Sequence, residues 1–342
     1  MSALKINNDY RLDGSNTFGL PSVARQYVQL DEFSHFTELM QSGLLRHSPF
    51  FILGGGSNVV LPEHYDGVIV HPANKGVRVV EDDGDCGIVE VAAGEKWTDF
   101  VDCCIGQGLY GLENMAGIPG CVGASPVQNV GAYGSEAKDV IEKVHYFDIQ
   151  TGNEGWIDNT NCQFSYRWSI FKGELRNRCL IDKVRFRLHR QFTPKLGYKA
   201  LSDALTQRGI DNPTAQDVAD TVTTVRDSKL PNPLHIGSAG SFFKNPVVTE
   251  DKYNELKDSN PTLVAFPAGD SMFKLSAGWM IEKCGWKGRR LGNAGVYEKQ
   301  ALVLVNLGGA TAEDVKNLAN AVTDDVEKKF GVRLECEAIF VG

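Results

Sequence analysis

The stretch Gly111-Leu-Glu-Asn-Met-Ala-Gly117-Ile-Pro-Gly120-Cys-Val-Gly123-Ala-Ser-Pro-Val-Gln-Asn-Val-Gly131-Ala-Tyr-Gly134 decides the reading of this chain. It holds six glycines and two prolines, is apolar between them, and carries one charge, Glu113. A solvated loop would carry more charge. Glycine admits φ > 0 and lets another molecule approach the backbone closely, while proline fixes the turns between. One reading is a rigid wall against a flat ligand, with backbone N–H groups and Ser125, Gln128 and Asn129 as polar contacts. The other is a buried irregular connection between domains. Composition does not separate the two.

Around this stretch lie 342 residues, enough for two or three domains, with 42% apolar and 23% charged residues as in an ordinary globular protein. The chain lacks the run of roughly 18 apolar residues that a membrane span needs. The first residues show no apolar core of a signal peptide, so a cytoplasmic location is expected. A net charge of −8 argues against nonspecific nucleic-acid binding. The eight cysteines (86, 103, 104, 121, 162, 179, 284 and 336) show no Cys-x-x-Cys spacing and no accompanying histidine cluster, so reduced thiols and no metal are expected.

Working outward, residues 22–30 read as a strand and 31–45 as a helix with Phe33, Phe36, Leu39 and Met40 on one face. A buried strand at 49–53 runs into Gly54-Gly-Gly-Ser-Asn58. Pro62 follows closely, so no long helix opens from this loop. That excludes a Rossmann fingerprint, and a P-loop is excluded by the missing Gly-Lys-Ser/Thr. The loop is either an anion nest suited to a pyrophosphate or a tight strand-to-strand turn. Strands are expected at 67–71, 76–80 and 88–92, a helix at 95–105, and a hairpin from 140–149 and 155–158. The segment 179–189 reads as a one-sided strand whose Arg185, Arg187 and His189 face solvent. Arg167, set in Phe164-Ser-Tyr-Arg-Trp-Ser-Ile-Phe171, must find an anion or reach water, and a structural ion pair serves as well as a catalytic role. Helices are expected at 201–207, 214–226, 276–284 and 311–330, the last with a stripe of Val315, Leu318, Ala319, Val322 and Val326. A domain boundary is expected at 229–233, a strand at 301–306 and a final strand at 333–341. The order is α+β, in at least two domains.

Three segments now agree with one family. Gly54-Gly-Gly-Ser-Asn58, Ile118-Pro-Gly through Ala-Tyr-Gly134, and Ala239-Gly-Ser-Phe-Phe-Lys-Asn-Pro246 together resemble the UDP-N-acetylenolpyruvoylglucosamine reductases of bacterial peptidoglycan synthesis. Their order and spacing extend the resemblance over nearly the whole chain. It implies an FAD-binding region of the vanillyl-alcohol-oxidase (PCMH) type in two subdomains, plus a C-terminal α+β substrate-binding domain. In numbers, the flavin region is expected at 15–190 (subdomains 15–72 and 73–190) and a tyrosine loop with its connecting helix at 191–218. The substrate domain follows at 219–334, and a strand at 335–342 carries a catalytic glutamate.

The resemblance also implies chemistry: NADPH reduces the flavin, which passes a hydride to the enol ether of a UDP-sugar. Hydride addition leaves an enediolate-like charge that needs a cationic or hydrogen-bonding partner, and the neighbouring carbon needs an acid. Arg167 and Glu337 match the family's stabilising pair and Ser241 its proton donor. Gly54, Gly55, Gly56, Ser57, Asn58, Ile118, Gly120, Gly123, Ser125, Asn129 and Gly131 match the FAD contacts. Tyr166, Tyr198, Lys229, Asn245, Lys287 and Gln300 match the UDP-sugar contacts, with Tyr198 in the subtype whose loop covers the substrate. Arg226 and Lys244 either join them or are solvated. Cys336 stands where the family has proline, between Glu335 and Glu337. Two other readings of the same residues are a flavin oxidase acting on an alcohol and a non-catalytic nucleotide-binding module.

Overall fold

The computed structural model describes residues 3–342. Its contacts divide the chain into two compact units. The first takes the chain up to Tyr10, then Ala24–Gly55 and Asp66–Ser228; the second takes Arg11–Val23, Gly56–Tyr65 and Lys229–Gly342. Two short segments of the N-terminal third thus belong with the C-terminal third. The sequence reading kept the units contiguous because nothing in local composition marks such an exchange.

The first unit is built on two sheets. One has four strands in the order Ile6–Arg11, Val23–Leu30, His64–Pro72 and Phe50–Ile52, the last pair parallel. The other has five, Glu154–Asp158, Ile141–Asp148, Cys179–His189, Cys86–Ala92 and Val77–Asp82, all antiparallel. The helices Trp97–Gly106, Lys199–Gln207 and Ala215–Lys229 supply the apolar side chains Trp97, Phe100, Leu201, Leu205, Val218 and Val222, which share one core with Val89, Val91 and Phe186 of the five-stranded sheet. At its centre Phe100 and Phe186 meet with ring centroids 4.9 Å apart, and Trp97 lies edge-on to both.

The second unit pairs Gly237–Ser241, Val303–Asn306, Ala294–Val296 and Arg290–Leu291 in one sheet, and Val247–Thr249, Met272–Leu275 and Ala265–Pro267 in another. The helix Ala312–Phe330 buries Val315, Leu318, Ala319, Val322 and Val326, as its period requires. Both of its ends are set by side-chain chemistry. Thr311 and Asp314 form a reciprocal capping box, and Gly331 closes the helix at φ 63°.

Several expectations change. The helix expected at 31–45 is two, Phe33–Ser42 and Leu44–His47, parted by Gly43 at φ 68°. A division at residue 219 falls inside the helix Ala215–Lys229. The helix Glu250–Ser259 was not anticipated, because it buries only Leu256 and shows no apolar stripe. Arg185 is not simply solvated: the antiparallel register places it opposite Glu90, which it binds at 2.8 Å, and Arg187 binds Glu142 at 2.9 Å.

The final strand is also much shorter than 333–341. The segment changes partner as it runs: Lys244 N–H donates to Glu335 O, Glu337 N–H to Phe242 O, and Ile339 N–H to Asn58 O. Only Ile339–Phe340 keeps one partner long enough to form a ladder, parallel to Val59–Val60.

Thr311→Ala removes one half of the capping box and should lower the unfolding free energy of the second unit by about 1 kcal/mol. Urea denaturation followed through that unit's transition measures this; an unchanged midpoint would show that the cap contributes nothing.

Candidate active site

In the first unit the glycine stretch folds as consecutive tight turns. Short 3₁₀ turns occupy Glu113–Met115 and Val122–Ala124, and a small hairpin pairs Gly131–Ala132 with Ser135–Glu136. That hairpin turns on Tyr133 at φ 47° and Gly134 at φ 84°, both left-handed as primed hairpin turns demand. Asn129 (φ 48°) and Arg167 (φ 55°) are left-handed as well. An L side chain pays roughly 1–2 kcal/mol for this conformation, and such residues gather at functional sites. Sequence reasoning missed the strain, since tyrosine and arginine carry no signal for positive φ.

The glycines separate into two kinds. Gly123 and Gly131 are required by the fold itself, because an added Cβ would lie 2.5 Å from Ala93 Cβ and 2.6 Å from Ser135 O. Gly55 is exposed, yet a Cβ there would lie 2.9 Å from Gly120 Cα and 3.6 Å from Cys121 Sγ. Beside it Gly54 faces Cys121 and Ala124. The strand end thus lies against the glycine stretch, with ordinary contact at Gly54 and a backbone approach at Gly55 too close for a Cβ. The Ser135 hydroxyl is buried and finds no partner among the described residues. Backbone open to close approach and a spare hydroxyl are what a bound dinucleotide can use.

Not every expected contact stays available. Asn129 is fully buried; its Nδ2 donates to Glu136 Oε2 at 2.8 Å and to Ser165 O at 3.0 Å, and its Oδ1 accepts from Lys138 N–H. Its side chain is committed to the protein and leaves only backbone for a ligand. Ser125 likewise donates its hydroxyl to Val122 O. Ile118 and Gly120 are half-buried in the same stretch.

Arg167 donates from Nη2 to Gly131 O at 2.9 Å, and its guanidinium lies 5.4 Å from the Tyr166 ring centroid. Arg226, left undecided by the sequence, donates from Nε to Gly117 O at 3.1 Å. Burial lowers the Arg226 pKa, the Tyr133 and Asp227 side chains oppose this, and the neighbouring Arg167 charge adds to the lowering. Two guanidiniums and a tyrosine therefore share one region of this unit, suited to an anion. Tyr198, its ring edge-on to Tyr133 at 5.2 Å, is 46% exposed.

In the second unit Ser241 ends the strand Gly237–Ser241 behind Gly240 at φ 68°, and the register against Val303–Asn306 breaks between Ser238 and Ser241. The bulge leaves Ser241 exposed, while Ser238 is buried with its carbonyl accepting from Thr17 Oγ1. Phe242 and Phe243, both buried, anchor the turn that follows. Phe242 O accepts the Glu337 N–H at 2.7 Å, and Glu337 O accepts from Asn58 Nδ2 at 3.1 Å. Phe242, next to Ser241, is thereby clasped to Glu337 and Asn58 from two distant segments. Glu335 turns instead to Lys244, at 2.8 Å.

Asn245 Oδ1 accepts from Ala277 N–H at 3.0 Å, and Gln300 Oε1 sits 3.2 Å from where a Gly278 Cβ would be, so both approach the start of the helix Ala277–Lys283. Lys287 forms an ion pair with Glu282, and Lys229 is exposed. Gly56, Ser57 and Asn58 belong to this unit, and Gly56 is glycine of necessity: at φ 63° its Cβ would lie 2.0 Å from Ser15 O. No group of metal-binding side chains exists among the described residues.

The one charge of the stretch is buried. Both Glu113 carboxylate oxygens lie 3.0 Å from Gly111 N–H, and burial raises its pKa against that hydrogen bond. The folded state therefore holds the proton above the unfolded value of about 4.3, and stability falls as pH rises between the two. Glu113→Gln should flatten the pH dependence of unfolding over that window. Urea midpoints at several pH values test this, and identical slopes for both proteins would refute it.

Known proteins place these two halves. A family model described as the C-terminal domain of UDP-N-acetylenolpyruvoylglucosamine reductase matches residues 232–341, and an FAD-binding-domain model matches residues 26–157. The chain is 45% identical over 342 residues to the UDP-N-acetylenolpyruvoylglucosamine reductase of Burkholderia ambifaria, covering 99% of this chain and 98% of that one. It is 46% identical over 339 residues to the enzyme of that name from Chromobacterium violaceum, covering 99% of each. The solved reductase structure from Thermus caldophilus shares the fold, with a TM-score of 0.67 at 22% identity over 99% of both chains. With relatives this similar along its whole length, the chain belongs to the UDP-N-acetylenolpyruvoylglucosamine reductase family.

Proposed function

We propose that this chain reduces the enolpyruvyl group of UDP-N-acetylglucosamine enolpyruvate with NADPH to give UDP-N-acetylmuramate, an FAD-dependent step of peptidoglycan precursor synthesis. The observation that carries the reading is the clasp of Glu337 to Asn58 and to Phe242, the residue after the exposed Ser241, through Phe242 O and Glu337 O. FAD, when bound, supplies the hydride carrier between NADPH and the enol-ether double bond.

The chain's own residues supply the rest. Gly54 and Gly55, against Gly120 and Cys121, offer backbone to the dinucleotide, with Gly56, Ser57, Asn58, Ile118, Gly123, Ser125, Asn129 and Gly131 in the same two loops. Arg167 and Glu337 stabilise charge on the substrate carboxylate, and Ser241 delivers the proton to the adjacent carbon. A serine hydroxyl is a weak acid, adequate where the receiving carbon is strongly basic, and the bulge at Gly240 holds it outward. Tyr166, Tyr198, Lys229, Asn245, Lys287 and Gln300 hold the UDP-sugar, the lysines suiting its diphosphate and Tyr198 covering it.

The substrates are small molecules, and the reading needs no protein partner or nucleic acid. No helix of the described residues is long and apolar enough to cross a membrane.

Ser241→Ala keeps the size of the loop and both phenylalanine anchors. It should leave flavin reduction by NADPH near normal while turnover of the UDP-sugar falls on the order of 10²–10⁴-fold, the usual worth of a general acid. Stopped-flow bleaching of the flavin and steady-state turnover separate the two steps; normal turnover would reduce Ser241 to a turn residue. Gly55→Val puts side-chain atoms where Gly120 stands. The purified variant should lose visible flavin absorbance while the second unit keeps its unfolding transition, and full flavin occupancy would move the cradle elsewhere.

A further inference from the structure

We infer that Asn114 is a positioning residue that ties the segment bearing Tyr198 to the strained turn at Tyr133. Asn114 is 4% exposed, and its Nδ2 donates to two backbone carbonyls, Tyr133 O at 2.8 Å and Lys195 O at 2.9 Å. One carboxamide thus bridges the left-handed tyrosine of the glycine stretch and a residue three before Tyr198. The rings of Tyr133 and Tyr198 meet edge-on, centroids 5.2 Å apart at 77°.

The base of this bridge is rigid. Asn114 lies in the 3₁₀ turn Glu113–Met115. On one side the Glu113 carboxylate takes Gly111 N–H; on the other, Trp97 Nε1, from the helix at the centre of the core, donates to Met115 O at 2.9 Å. The segment it holds has no regular structure and is otherwise tied by the packing of Phe192 and Leu196 against the core. Residues 191–197 form no helix or strand, and the Lys195–Asp139 ion pair is solvent-exposed at 3.6 Å, the kind worth little. Phe192 lies against Tyr110 upstream, and a Cβ on Gly197 would meet nothing within 4 Å. Asn114 therefore adds a backbone anchor at Lys195, between the core-packed Phe192 and Leu196, and leaves the exposed Gly197 and Tyr198 as the part that can adjust over a ligand. It also holds Tyr133 O in place, which keeps a non-glycine residue in the left-handed region.

The role rests on the reading of Tyr198 as the residue that covers the UDP-sugar, and the test keeps the two apart. Asn114→Leu keeps the volume and removes both donors; Asn114→Asp keeps the shape and faces two carbonyls with an acceptor, and serves if the leucine variant does not fold. In the holoenzyme, hydrogen exchange of residues 191–198 should rise in either variant. KM for the UDP-sugar should rise on the order of tenfold, the worth of about one buried hydrogen bond. Bleaching of the flavin by NADPH should change less than twofold.

Tyr198→Ala alone should raise the same KM, and adding it to the Asn114 variant should add little further. If Tyr198→Ala leaves KM unchanged, the covering role of Tyr198 fails and the exchange data alone judge the tether. Unchanged exchange at 191–198 overturns the tether. An equal loss in both half-reactions makes Asn114 a folding residue and overturns it too.

Discussion

The first unit depends on a close approach between two stretches of backbone. Gly54 and Gly55, at the end of a strand, are pressed against Gly120 and Cys121 so tightly that no Cβ could stand at Gly55. Once that approach is fixed, the glycine stretch has little freedom. Its next turns are pinned by Gly123 against Ala93 and by Gly131 against Ser135, and the hairpin reverses on a left-handed Tyr133. The strain at Asn129, Tyr133 and Arg167 is offset because each is held by hydrogen bonds or ring contacts, and Asn129 alone makes three.

In the second unit the comparable constraint is an exchange of backbone partners. Residues 335–341 never form a long strand, because the segment bonds in turn to the Phe242–Lys244 turn and to the Asn58–Val60 segment. A regular ladder would have carried Glu337 past Ser241 in an ordinary register. The switch instead leaves Glu337 fastened by its N–H to Phe242 and by its carbonyl to Asn58, with Glu337 half-buried and Ser241 exposed. Two buried phenylalanines, Phe242 and Phe243, give this irregular piece the stiffness that hydrogen-bonded ladders give elsewhere.

The chemistry proposed for these residues asks for rigid donors near developing charge. Arg167 and Arg226 lie in the region of Tyr133, and burial disfavours the charge on Arg226. The Arg167 charge adds to that lowering, and an anion bound in this region would relieve it. Strain, burial and like charge thus fall on the same few residues of the glycine stretch and its neighbours, the pattern of a site arranged for a ligand rather than for stability alone.

The sequence by itself determined the family and most regular elements. Apolar period showed the helix Ala312–Phe330 and its stripe, β-branched runs showed the central strands, and three glycine-rich motifs in order implied the family. These are local or composition-level signals, readable without partners. What only the tertiary structure decided is which residues meet. Nothing local says that residues 11–23 and 56–65 fold with the C-terminal third, that Asn129 spends its side chain on the protein, or that residues 333–341 change partner after five residues. The helix Glu250–Ser259 was equally silent, since a helix that buries one leucine has no period to read. The reason is common to all of these: period and propensity report how a segment meets a surface, whereas backbone packing and hydrogen-bond pairing depend on which distant segment supplies that surface.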